Sequence, residues 1–126
     1  MLNDDIEQYF FNLSEEKGRS RQRGIYKFYC MLGYSVEGGD RQRGLDDILA
    51  DMRAIPHVTI VTVVIANQRL GEDRYIAGLS VKFIPSIPGQ VNAPEDVKGR
   101  IVRDIKRLKN VERIFKVSTS LERIEL

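Results

Sequence analysis

The chain has 126 residues, 42% apolar and 30% charged, a balance typical of a folded globular protein rather than a disordered or fibrous one. Its 20 Lys and Arg stand against 18 Asp and Glu, so the net charge of +2 carries no general signature of a polyanion binder. A lone cysteine, Cys30, excludes an internal disulfide, and no apolar run reaches the roughly 18 residues of a membrane span. Acids stand where a signal peptide would carry bases, so the expected location is the cytoplasm.

Residues 1–24 read as a helix followed by a basic linker, and residues 25–126 as one domain. Over residues 3–14, Ile6, Tyr9, Phe10 and Leu13 form one helical stripe, with Asn3 or Asp4 placed to cap the start and Asp4, Asp5 and Glu7 suited to the positive end of the dipole. Residues 15–24, EEKGRSRQRG, have no apolar side chain. Ile25–Val36 then alternates as a strand, with Tyr26, Phe28, Cys30, Leu32 and Tyr34 as its core face; Cys30 reads as a small buried hydrophobe. Leu45, Ile48, Leu49 and Met52 recur at helical spacing, and Pro56 stops that helix. The β-branched run from Val58 to Ile65 is a second strand, joined through the polar stretch ANQRLGEDR to a third over Tyr75–Ile84. Asn92, Pro94 and Glu95 suggest a capped start for a helix with stripe Val97, Ile101, Ile105 and Leu108. Ile114–Leu121 is a last strand, and residues 122–126 read as its fraying end.

The order strand, helix, strand, strand, helix, strand resembles the ferredoxin-like fold. The resemblance implies an α+β domain whose antiparallel sheet carries both helices on one face, with the first strand central. The stretch Asp40-Arg41, Gly44-Leu45, Ile48-Leu49 and Met52, followed by Val58-Thr59-Ile60, also resembles an ACT regulatory domain. That likeness implies Asp40, Gly44 and Leu45 as contacts to a small molecule such as an amino acid, although one extra loop residue and a missing proline depart from the pattern. An RNA-recognition motif shares the strand order but needs aromatics on both central strands. Here Tyr29 faces Ile76, Gly78, Ser80 and Lys82, so nucleic acid is the less favoured partner.

No nucleophile motif, metal-ligand spacing or phosphate-binding glycine loop stands out, and His57 is the only histidine. Neither a metal nor a cofactor is expected, and the chain reads as a non-enzyme. Two surfaces do stand out. Lys27, Lys82 and Lys116 should project from neighbouring strands beside Tyr29, a candidate face for an anion or an acidic partner. In the Val58 strand, Val61, Val63 and Ile65 oppose Val58, Ile60 and Val64, so both faces need cover. Val61, Val63 and Ile65, with Tyr9 and Phe10, are therefore candidate interface residues. The sequence thus points to a self-associating domain, a dimer, with a regulatory or scaffolding role. An ACT-like sensor and a nucleic-acid accessory protein are the alternatives.

Overall fold

A strand whose every second residue is a bulky hydrophobe needs partners on both edges and cover on one face, and Ile25–Ser35 (β1) has both. The computed structural model describes residues 24–124; the expected helix over 3–14, with Tyr9 and Phe10, and linker residues 15–23 lie outside them. After β1 come a single 3-10 turn at Glu37–Gly39, helix α1 (Arg41–Arg53), strands β2 (Val58–Gly71) and β3 (Arg74–Phe83), helix α2 (Pro94–Lys106), and strands β4 (Val111–Val117) and β5 (Glu122–Ile124). The sheet is antiparallel in the order β2-β3-β1-β4, and β5 pairs with the opening of β1 through Ile25 and Ile124. Residues 122–124 are thus a paired strand and not a fraying end, and the sheet has one strand more than the six-element pattern.

Tyr26, Phe28, Cys30, Leu32 and Tyr34 share one core with Ala77, Leu79, Val81 and Phe83 of β3. Leu45, Ile48, Leu49 and Met52 of α1 and Val97, Ile101 and Ile105 of α2 close it from above. Helices that bury into the same side of the sheet leave its other side without a helical layer among the described residues.

Local chemistry moves several boundaries. Helix α1 begins at Arg41, earlier than the apolar stripe suggests, because the Asp40 carboxylate accepts from the Arg43 backbone N–H at 3.1 Å and caps the first turn. Asn92 caps nothing: its side-chain amide donates to the Pro85 carbonyl at 2.9 Å, and Ala93 stands at the N-cap with Pro94 opening the helix. The polar stretch after β2 is mostly strand, since only Glu72 and Asp73 form the turn; Asp73 takes φ 54°, a left-handed value that Asp tolerates.

The largest departure is in β2. Its pairing with β3 slips between Val58 and Ile60 and again between Val63 and Ile65. A bulge resets the alternation of faces, so Val58, Val61 and Val63 all turn toward the core. Val61 is 3% exposed, and Val63 packs partly buried beside it. Neither is available as the interface residue that strict alternation suggests. Ile65 is 44% exposed and stays at the surface with Ile60 and Val64.

Candidate docking surface on the open face of the sheet

Register places the uncovered side chains of the sheet. On β1 and β3, Lys27 lies opposite Lys82, Tyr29 opposite Ser80, Met31 opposite Gly78, and Gly33 opposite Ile76. Strand β2 adds Ile60 beside Lys82 and Ile65 beside Gly78. Strand β4 adds Lys116 beside Met31 and Arg113 beside Gly33. Lys27, Tyr29, Lys82 and Lys116 therefore do share this face.

Two glycines on the central strands shape its floor. A Cβ on Gly33 would lie 2.9 Å from the Phe115 ring and 3.7 Å from Leu70, and one on Gly78 would lie 3.3 Å from Ile65 Cβ. Side chains from both outer strands thus lean inward over positions where no side chain stands. Between them lies a shallow hollow of about 300 Å³ whose lining includes Tyr29, Met31, Val64, Ile65 and Lys116. Tyr29 is 45% and Phe115 37% exposed, unusual for large rings unless they meet something.

Charge rims this apolar floor. Lys27 Nζ is 3.3 Å from the Glu122 carboxylate and 5.1 Å from the centre of the Tyr29 ring. The Tyr29 hydroxyl first, and Glu122 second, hold the Lys27 ammonium above the ordinary lysine range. Arg74 reaches Glu112 at 3.6 Å. Arg113 stacks its guanidinium 4.9 Å over the Phe115 ring. Among the described residues Lys82, Lys116 and Arg113 have no carboxylate partner, so the face carries surplus positive charge.

The residues singled out by the ACT likeness do structural work. Asp40 is the cap of α1, Gly44 lets the helix approach Val36, which an added Cβ would meet at 2.9 Å, and Leu45 is in the core. Asp40 and Gly44 border a hollow of about 480 Å³ that also holds Glu37, Asp47, Asp51 and Lys109, a charged and open site unlike an apolar ligand pocket. His57 takes φ 76° in the turn into β2, and its Nδ1 donates to the Ile84 carbonyl at 2.9 Å, tying that turn to the end of β3. Cys30 is buried, which pushes its thiol up to about 11 and keeps it protonated at neutral pH. Among the described residues no cluster of three or more His, Cys, Asp or Glu is arranged to hold a metal ion. No helix among them is long and apolar enough to cross a membrane.

Two contributors to this face escape a reading of the sequence alone, and a third residue, on the helix side, is easily passed over. Phe115 reaches the open face because the β1–β4 pairing slips between Met31 and Leu32. Gly33 matters only through what leans over it. Lys98 is buried in α2, with its ammonium donating to the Ser118 and Thr119 carbonyls in the gap between β4 and β5 and lying 5.9 Å from the Phe28 ring. Its signal was present: a lysine inside the apolar stripe, three residues before Ile101 and seven before Ile105. No family model matches the chain, and no curated protein matches it.

Proposed function

We propose that this chain is a non-catalytic docking domain of ferredoxin-like type, with a regulatory or scaffolding role, and that it works through the open face of its sheet. The occupant is an amphipathic helix whose apolar stripe is flanked by Asp and Glu. One observation carries the reading: among the described residues, an apolar floor of Tyr29, Met31, Ile65 and Phe115 lies uncovered among bases, three of them without a carboxylate partner. An apolar helix face fills such a groove, and its acids meet Lys82, Lys116 and Arg113. The strand order β2-β3-β1-β4, with a helix after β1 and another after β3, supports the ferredoxin-like assignment.

Small-molecule sensing of ACT type is the weaker reading, because Asp40, Gly44 and Leu45 are occupied in capping, close packing and the core. Nucleic-acid stacking is weaker too, since β3 sets Ser80 and Gly78 where a second aromatic would lie. The test is a titration with a synthetic amphipathic helix bearing glutamates beside its apolar stripe. Replacing Tyr29 and Phe115 together by Ala should weaken its binding at least tenfold with little change in melting temperature. Unchanged affinity overturns the reading, as does salt-sensitive retention of nucleic acid with no retention of the peptide.

Self-association is a second reading, favoured by the outer edge of β2, which runs for 14 residues and has no strand beside it among the described residues. Its four register shifts against β3 twist that edge and oppose a regular ladder. A monomer in sedimentation at tens of micromolar removes this reading.

A further inference from the structure

The chain carries, outside the described residues, a segment with the chemistry that its open face selects. Residues 3–14 place Ile6, Tyr9, Phe10 and Leu13 at i, i+3, i+4 and i+7, and residues 1–16 carry Asp4, Asp5, Glu7, Glu15 and Glu16 with no lysine or arginine. We propose that this acidic amphipathic segment docks as a helix onto the open face of its own sheet and occupies the partner site. The inference rests on the docking reading above and names the occupant that an outside partner must displace.

Position and length permit it. The chain enters β1 at Ile25, at the end of the open face where Lys27 and Lys82 lie side by side. The connector over residues 15–24 is about ten residues and spans up to roughly 33 Å when extended. A helix over residues 3–14 is about 18 Å long. The floor it would cover, from Lys27 to Gly33 along β1, is about 20 Å. The segment can therefore fold back from Gly24 and lie along the floor with its stripe over Tyr29, Met31 and Phe115.

Charge selects this occupant over a second copy of the face. Stacking two open faces about a twofold axis brings Lys82, Lys116 and Arg113 of one chain near the same bases of the other, and like charges brought together oppose that interface. The acidic segment matches them instead. Covalent attachment raises its effective concentration to the millimolar range, so even modest affinity keeps it in place.

The experiment uses the full-length chain and hydroxyl-radical labelling of Tyr29, Met31 and Phe115, with exposed Ile87 and Val91 as internal references. In the wild-type chain the three face residues should label several-fold less than in the double variant Tyr9→Glu, Phe10→Glu, and dilution should not change this. Equal labelling of the two chains overturns the proposal, and protection lost on dilution overturns it in favour of a second copy. A charge exchange keeps the test open should the double variant perturb the domain. Lys82→Glu with Lys116→Glu should expose the face, and adding Asp4→Lys, Asp5→Lys and Glu7→Lys should restore protection; no restoration counts against the proposal. A synthetic peptide of residues 1–16 separates this failure from failure of the docking reading. Binding to the Tyr9/Phe10 variant at least tenfold tighter than to wild type supports both readings, and equal binding to the two sinks only the intramolecular one. Binding to neither sinks the docking surface itself.

Discussion

The two faces of one sheet solve opposite problems with the same residue types. On the helix side, Val61, Leu79 and Phe28 are sealed by α1 and α2, and their packing holds the fold. On the open side, Ile60, Ile65 and Phe115 are as apolar, yet among the described residues no helix seals them. The difference teaches that apolarity alone does not mark a core. What marks it is the layer that the connections place above each face, and both connections here deposit their helices on the same side.

The largest expected effect comes from putting one charge on each face of the same strand. Val61→Lys buries an ammonium without a partner and should cost about 4 kcal/mol or more, or abolish folding. Ile65→Lys, four residues on, keeps its ammonium in reach of water and should cost about 1 kcal/mol or less. Chemical denaturation of the two variants measures this, and similar losses would erase the distinction between the faces.

This pair also shows where the sequence stops being legible. The alternation of β1 and β3 assigns their core faces correctly from Tyr26 to Tyr34 and from Tyr75 to Phe83, because each has a clean period of two. In Val58–Ile65 almost every residue is apolar and β-branched, so nothing in the side chains shows where the pairing slips. Strict alternation then sends Val61 outward, and the bulge returns it to the core. The same blindness hid Phe115. For the candidate site, the lysines and Tyr29 were legible because they sit at regular positions, whereas the floor formed over Gly33 and Gly78 depends on neighbours from other strands. Asp40 and Gly44 serve a capped, closely packed helix start, a use that the likeness alone does not reveal.

A middle-sized effect follows from the dryness of the covered face. The Cys30 thiol holds its proton up to about pH 11 in the folded chain, while in the unfolded chain it loses it near 9. Between those values the unfolded state binds fewer protons, so stability is complete below about pH 9 and falls as pH climbs to about 11. The loss from this group is at most about 3 kcal/mol. Burial pushes the Tyr34 hydroxyl in the same direction and adds to the decline. Cys30→Ala should lower stability at neutral pH yet flatten part of the alkaline fall in melting temperature. An equally steep fall would show that water reaches this side of the sheet.

The smallest effect concerns Tyr34, whose buried hydroxyl has no hydrogen-bond partner among the described residues while its ring packs 5.9 Å from Tyr75. Tyr34→Phe keeps the ring and removes the unpaired oxygen, so it should stabilise the chain by about 1 kcal/mol. A loss of similar size in a thermal melt would show that the oxygen is bonded.

Lys98 has a consequence for how the molecule comes apart. Its ammonium bridges from the helical layer to two carbonyls in the connection where the sheet's outer rail is broken, so the segment leading into β5 is tied to α2 while β5 itself pairs with β1. A three-residue strand ordinarily opens far more easily than the body it joins. With the connection held, only the three pairings of β5 can peel before a charge beside Phe28 is unseated. Opening of the connection from Ser118 to Leu121 should therefore follow the release of α2, an order that hydrogen exchange of the Ser118 amide against those of α2 would report.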